Sequence, residues 1–194
     1  MRNRNGGPAA KFGAAARFGL LLALSCWVTL AAAGDKVPQP IEFPHDTHAG
    51  KLGINCMYCH TYARRSRVSG IPPLRKCIGC HQSILSVRDK PRIKALFEYW
   101  DKKEPIPFKK VHDLPDFVRF NHERHIQRFY FQLGRPVNEV CGYCHGDPRG
   151  MTVAEKLEPL SMGWCRSCHT RDHPVSKDSA ETGNGPHDCW DCHK

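Results

Sequence analysis

The sequence predicts a mostly α-helical and irregular fold, in which short helices and extended loops are organised around repeated cysteine motifs rather than a large hydrophobic core. Two observations support this prediction. The pentad Cys-x-x-Cys-His occurs five times, and the segments between the copies are rich in Pro, Gly, Lys and Arg, with few long amphipathic windows. We divide the 194 residues into an N-terminal segment, residues 1–34, and a pentad-bearing domain, residues 35–194.

The five pentads predict covalently attached haem c. In this type of attachment two thiols bond to the porphyrin vinyl groups, and the adjacent histidine ligates the iron. Zinc sites and disulfide frameworks also use closely spaced cysteines, but neither requires a histidine directly after the second cysteine of every pair. We therefore expect five haem c groups, a class III-like multihaem arrangement in which the chain wraps around the porphyrins.

The pentads are numbered 1 to 5 in chain order. The predicted attachment residues are Cys56 and Cys59, Cys77 and Cys80, Cys141 and Cys144, Cys165 and Cys168, and Cys189 and Cys192. The predicted proximal iron ligands are His60, His81, His145, His169 and His193.

Residues 1–34 have the features of an export signal or a membrane anchor. The segment carries four positive charges and no acidic residue, and 18–33 form a 16-residue apolar stretch. A helix of that length spans about 24 Å, less than a hydrocarbon core of about 30 Å, which favours cleavage near residues 31–33. If residues 14–16 extend this helix and the side chain of Arg17 reaches the membrane interface, the segment is long enough to remain as an anchor. We expect a single-pass anchor in the cytoplasmic membrane, with the haem domain on the periplasmic side.

The sequence Phe-x-His-x-x-His occurs twice upstream of a pentad, at 43–48 and 120–125, which indicates an internal duplication. Histidines three residues apart on a helix share one face with Cβ atoms about 5–6 Å apart, so the two cannot ligate the same iron. We expect the first histidine of each copy to ligate the iron of the next pentad and the second to ligate a different haem. The predicted pairs are His45 with His60 and His122 with His145, with His48 and His125 reaching haems elsewhere.

Residues 82–119 carry no pentad. The stretch 84–100 predicts one or two short helices interrupted at Pro91, and 105–117 predict an extended strap. His112, in this strap, is the fifth candidate for a distal ligand. Seven histidines lie outside the pentads, so each of five irons can have two histidine ligands. The alternatives for a remaining seat are His173, His187, Met57, Met151 and Met162.

The net charge of +10 does not indicate a nucleic-acid-binding protein. Four of the 29 basic residues lie in 1–34, and the 25 others set against 19 acidic residues leave +6 for the remainder. Ten haem propionates contribute about −10 when ionised, so much of the basic charge serves as their counter-charge. Arg64, Arg65 and Arg67 are the best candidates to bind propionates. No basic stripe with interleaved aromatic residues suggests nucleic acid as a partner.

The order of these motifs resembles the pentahaem cytochrome c subunit of alternative complex III. The resemblance covers nearly all of residues 41–169 and rests on FPHDTHAGKLGINCMYCHTYARRSRVSGIPPLRKCIGCH, PIPFKKVHDLPDFVRFNHERH, CGYCHGD and SMGWCRSCH. It implies an electron-transfer subunit that receives electrons from a quinol-oxidising membrane assembly, which contains an iron–sulfur subunit and polytopic quinol-binding subunits. The acceptor it implies is a monohaem cytochrome c or another soluble protein. Multihaem subunits of menaquinone reductase complexes, which carry electrons in the opposite direction, share the motifs more loosely.

Two functions of other classes remain open. A stand-alone, membrane-anchored multihaem quinol dehydrogenase would need its own quinol pocket at the membrane surface. A substrate-converting enzyme, acting for example on nitrite or hydroxylamine, would need an open haem, and the spare histidines argue against one. The chain has no Gly-rich phosphate loop and little protein from which to build a substrate pocket beside five porphyrins, so we expect no catalytic residue.

Replacement of Cys59 or Cys80 by Ser should yield a chain that carries one fewer stable haem and accumulates poorly, because one of the two covalent attachments is lost. Intact-mass spectrometry counts the haems. Cys26→Ser is the matched control, since Cys26 lies outside every pentad, and it should retain five. Five haems in the Cys59→Ser protein would contradict the attachment assignment.

Overall fold

The computed structural model describes residues 35–194, and this part of the chain is mostly helical and irregular, with little sheet. The predicted coarse fold class is therefore confirmed. The predicted membrane anchor in residues 1–34 lies outside the described residues, and from residue 35 onward no helix has the length and apolarity needed to cross a membrane. The α-helices of the described part are α1 (Cys56–Cys59), α2 (Leu74–His81), α3 (Pro91–Asp101), α4 (His122–His125), α5 (Val137–His145), α6 (Met162–His169) and α7 (Cys189–Cys192).

Helical turns of other types and four very short strands connect these helices. Two π-helices occur at Asp46–Lys51 and Ile126–Gln132, and 3₁₀ helices occur at Thr61–Arg64, Leu85–Val87 and Pro148–Gly150. Strand β1 (Asp35–Lys36) pairs antiparallel with β2 (Glu155–Lys156), and β3 (His173–Pro174) pairs antiparallel with β4 (Thr182–Gly183). The β1–β2 pairing attaches the start of the described chain to the segment between pentads 3 and 4.

Every pentad lies at the C-terminal end of a short α-helix. Helices α2, α5 and α6 end at the pentad histidine, whereas α1 and α7 end at the second cysteine and have the histidine as C-cap. Cysteines three residues apart on a helical turn lie on the same face. Both thiols of each pentad are therefore on one side of their helix, as a two-point attachment requires.

Side-chain caps begin several of these helices. The Asn55 side chain accepts a hydrogen bond from Met57 N–H at 2.9 Å, and the Asn121 side chain accepts one from Glu123 N–H at 3.0 Å. Helix α1 contains four residues, far too few to be stable in isolation, whereas α4 is continued directly by the π-helix Ile126–Gln132. The position of α1 therefore depends on its cap and on tertiary packing.

The predicted interruption at Pro91 is confirmed. The 3₁₀ helix Leu85–Val87 ends before it, and α3 begins with Pro91 in its first turn, where a missing N–H costs nothing. Helix α3 packs against α2, and each buries one apolar residue, Leu96 and Ile78 respectively.

The hydrophobic core of the described part is small. Its buried apolar residues are Ala63, Ile78, Leu96, Ile126, Val140 and Met151. Three of them, Ala63, Ile126 and Val140, form one cluster, against which Met57, Phe129 and Tyr130 pack. A domain of this length normally buries well over half of the surface of its unfolded chain. Burial of side chains against one another therefore contributes little to the stability of this fold.

One close backbone contact holds the first π-helix in place. Asp46 N–H donates to the Met151 carbonyl at 2.9 Å, just after the 3₁₀ helix Pro148–Gly150. A Cβ added at Gly50, in the same π-helix, would lie 2.5 Å from the carbonyl oxygen of Arg149. Only glycine fits at this position without displacing backbone.

Gly50→Ala should destabilise the holoprotein by about 1–3 kcal/mol, because the added methyl group overlaps a backbone carbonyl that cannot turn away. Thermal unfolding measures the effect. Gly163→Ala is the control, because a Cβ at this helical glycine meets no atom within 4 Å, and it should be neutral or slightly stabilising. Equal melting temperatures for the two variants would show that the π-helix does not pack as described.

Candidate functional site

The first histidine of each Phe-x-His-x-x-His copy faces the histidine of the next pentad. The rings of His45 and His60 have centroids 6.5 Å apart and planes 10° from parallel. Those of His122 and His145 are 6.3 Å apart and 3° from parallel. The two pairs have nearly the same geometry, and the structure brings together the residues that the spacing of the motifs paired.

The second histidine of each copy faces a pentad further along the chain. The centroids of His48 and His81 are 6.0 Å apart, and those of His125 and His169 are also 6.0 Å apart. The interplanar angles are 63° and 26°. Each helical turn therefore presents histidines to two pentads, pentads 1 and 2 in the first copy and pentads 3 and 4 in the second.

These separations fit one metal ion between each pair of rings. A metal bound to imidazole lies about 2.0–2.1 Å from the ligating nitrogen and about 3.2 Å from the ring centre. Two rings on opposite sides of one metal thus have centroids about 6.4 Å apart. All four pairs, at 6.0 to 6.5 Å, fall near this value. The side chains present are therefore suited to bis-histidine ligation of an iron.

Backbone carbonyls hold most of these rings in the tautomer that ligation needs. When Nδ1–H donates to a carbonyl, Nε2 carries the lone pair and is free to bind a metal. Such Nδ1 contacts join His60 to Gly70 O (2.7 Å), His169 to Pro186 O (2.7 Å), His122 to Arg67 O (2.8 Å), His125 to Asn121 O (2.9 Å) and His48 to Pro44 O (3.0 Å). The Nδ1 atoms of His45 and His81 are buried and have no hydrogen-bond partner within residues 35–194.

A phenylalanine packs on both histidines of each copy. Phe43 stacks on His48, with centroids 4.4 Å apart, and meets His45 edge-on at 4.8 Å. Phe120 packs in the same way, stacked on His125 at 4.9 Å and edge-on to His122 at 4.7 Å. The sequence repeat is therefore also a repeat of side-chain geometry, and the phenylalanine fixes the angle between two rings that face different pentads.

His112 does not face a pentad histidine at the 6.0 to 6.5 Å ring separation of the four pairs. Its Nε2 is 3.2 Å from Nδ1 of His145, and the two rings are nearly perpendicular with centroids 4.3 Å apart. That distance is too short for one metal between them. His193 packs against Phe117, with ring centroids 5.7 Å apart. In the described part of the chain no histidine ring faces His193. The expectation that His112 is a distal ligand stays a prediction.

The reserve ligands lie at several places. His173 Nε2 is 3.7 Å from the Cys168 Sγ, and His187 is exposed, with Nδ1 3.0 Å from Gly185 O. Met57 packs on the small core, Met151 is buried, and Met162 is exposed.

The proposed propionate-binding residues Arg64, Arg65 and Arg67 are all exposed, and Arg67 also donates from Nε to Phe120 O at 3.3 Å.

The pentad thiols are free, and none of the ten is in a disulfide. Within the described residues no group of three or more His, Cys, Asp or Glu side chains converges as a metal-binding cluster. A hydrogen bond from Cys141 lowers the pKa of Cys56 to about 6, and the same bond raises the pKa of Cys141. Burial raises the pKa of Cys144 to about 11.

Burial disfavours the protonated form of several histidines of the site. It lowers the pKa of His45 to about 4, helped by the neighbouring His60 and His48. It likewise lowers the pKa of His145 to about 4, helped by His112, His122 and His60. Burial also lowers the pKa of His81, His112, His122 and His125. Neutral imidazole is the form that binds metals.

Two parts of this site were not anticipated from the sequence. The packing of Phe43 and Phe120 on the histidines could have been suspected, because both residues recur at the same position of the repeat. The carbonyl acceptors of Gly70, Arg67 and Pro186 leave no such signal, since every residue has a carbonyl and only the tertiary fold selects which one meets a ring.

No protein-family model matches this chain, and no curated protein is significantly similar to it.

Replacement of His48 by Ala should perturb the haem of pentad 2, because His48 faces His81, whereas His45→Ala should perturb the haem of pentad 1. Removal of one axial ligand converts a low-spin iron into a high-spin or differently ligated one. The optical spectrum and redox titration of each variant, compared with the wild type, measure the change. The pairing would be wrong if both variants altered the same single haem.

Proposed function

We propose that this protein is an electron-transfer subunit carrying five haem c groups, and that it serves as the pentahaem cytochrome c subunit of alternative complex III. The observation that carries the proposal is the set of four facing histidine pairs, each spaced for one iron and each including a pentad histidine. The motif order of residues 41–169 supports the assignment to this complex.

The residues that would hold the haems are the five cysteine pairs and the histidines of the pentads, with His45, His48, His122 and His125 as distal ligands. When bound, the haems supply one-electron redox chemistry at iron. The protein holds the rings in position through Nδ1 contacts to backbone carbonyls and through Phe43 and Phe120, so the ligand positions would change little when the charge at a bound metal changes.

Two protein ligands at an iron leave no position for a substrate. This favours an electron carrier over an enzyme at pentads 1 to 4, and under this proposal no side chain of the chain is catalytic. The proposed partners are an iron–sulfur subunit and polytopic quinol-binding subunits on the donor side, and a monohaem cytochrome c or a soluble acceptor on the other. The proposed location is the cytoplasmic membrane, with the haem domain in the periplasm.

A substrate-converting multihaem enzyme is the second candidate. The observation that favours it concerns pentad 5, since within residues 35–194 no histidine ring faces His193. An iron held there by one histidine would have an exchangeable site.

Isolation of the tagged chain from membranes in mild detergent tests the proposal. An iron–sulfur subunit and polytopic membrane subunits should copurify, and a short-chain quinol should reduce the haems of the assembly but not those of the isolated chain. Reduction of the isolated chain by quinol would instead indicate a stand-alone quinol dehydrogenase. High-spin ferric signals that shift when nitrite is added would indicate the enzyme.

A further inference from the structure

Each Phe-x-His-x-x-His copy packs on the segment that follows the pentad of the other copy. Asp46 N–H donates to Met151 O at 2.9 Å, and Met151 lies six residues after His145 of pentad 3. Glu123 N–H donates to Ser66 O at 3.2 Å, and Ser66 lies six residues after His60 of pentad 1. Asp46 and Glu123 occupy the same position of the repeat. The two copies therefore exchange equivalent hydrogen bonds.

Equivalent residues of the two copies also meet each other. Helix α1 contacts α5, and these helices carry Cys56 and Cys141, the first cysteines of pentads 1 and 3. An interface in which equivalent residues meet, and in which contacts are exchanged reciprocally, is that of a two-fold axis. Pentads 1 and 3 thus lie side by side about a local two-fold, although residues 61–140 separate them in sequence.

The second histidines lead outward from this central pair. His48 belongs to the turn that serves pentad 1 and faces His81 of pentad 2. His125 belongs to the turn that serves pentad 3 and faces His169 of pentad 4. Pentad 2 is therefore the outer neighbour of pentad 1, and pentad 4 is the outer neighbour of pentad 3.

Pentad 5 lies beyond pentad 4. His169 of pentad 4 accepts a hydrogen bond at its carbonyl from Gly185 N–H (2.8 Å) and places its Nδ1 2.7 Å from Pro186 O, on the segment that leads into α7. Cys192 O of pentad 5 also accepts from Arg119 N–H at 2.7 Å. Arg119 precedes Phe120, whose ring stacks on His125, the histidine that faces pentad 4.

We propose that the five haems form an unbranched row in the order of pentads 2, 1, 3, 4 and 5, with a local two-fold axis between pentads 1 and 3. The proposal rests on the proposed function, in that each pentad carries a haem c. It assigns the two ends of the row to pentads 2 and 5, and it makes pentads 1 and 3 the only link between the two halves. If the haems followed the order of the pentads in the sequence, the haem of pentad 1 would instead lie at one end of the row.

Iron anomalous scattering from crystals of the wild-type holoprotein tests the order directly. Five irons should be found, each assigned to a pentad by its proximal histidine, and the nearest-neighbour sequence should be 2, 1, 3, 4, 5. An iron of pentad 2 that lies closer to that of pentad 3 than to that of pentad 1, or a branched arrangement, would overturn the proposal.

A matched pair of variants tests the order in solution. His48→Met should raise the midpoint potential of the haem of pentad 2, and His125→Met that of pentad 4, because methionine ligation favours the reduced iron. Since charges interact more strongly at short distance, a haem-resolved redox titration should show the nearest haems responding most. Apart from the haem of the altered ligand, His48→Met should shift the haem of pentad 1 most, whereas His125→Met should shift those of pentads 3 and 5 most.

An equal response of pentads 1 and 3 to His48→Met would contradict the order. If either variant loses its haem, the iron positions of the wild type still decide the question. Failure of the proposed function is recognised separately: a chain that no quinol-oxidising assembly reduces would still have an iron order, whereas a chain with fewer than five irons at its pentads would refute the haem assignment itself.

Discussion

Two imidazoles one helical turn apart project from the same face of the helix, so they cannot bind opposite sides of one metal. The arrangement of the described chain depends on this constraint. His45 and His48 face different pentads, as do His122 and His125. Each pair of histidines therefore connects two pentads through one helical turn. The stacked phenylalanine of each copy sets the angle between the two rings.

Because the hydrophobic core is small, this fold depends for its stability on packing other than that between apolar side chains. Six apolar residues are buried in the described part, and several helices have only four residues. Such helices gain their stability from what they pack against rather than from their own hydrogen bonds. Under the proposed function, folding and haem binding are coupled in the same way as folding and metal binding in small metallodomains. The covalent attachment then supplies the packing that the side chains lack.

Local features of the fold and of the candidate site could be predicted from the sequence, because they depend on short-range geometry. The presence of short helices, the helix boundary at Pro91 and the expectation that histidines three residues apart face different pentads are of this kind. The partners of His48 and His125 could not be predicted, because they depend on how the two copies pack. His112 shows the same limit: its place in a strap predicted an available ligand, but only the tertiary fold puts its Nε2 beside His145.

The reciprocal contact between the two copies also limits how a chain of this design can lengthen. A two-fold contact is closed, because each partner uses its matching surface to meet the other and has none left for a third. A further pentad placed in space between pentads 1 and 3 would separate Asp46 from Met151 and Glu123 from Ser66, and would remove both hydrogen bonds. Under the proposed order, new pentads can be added only at the outer ends, the position proposed for pentad 5.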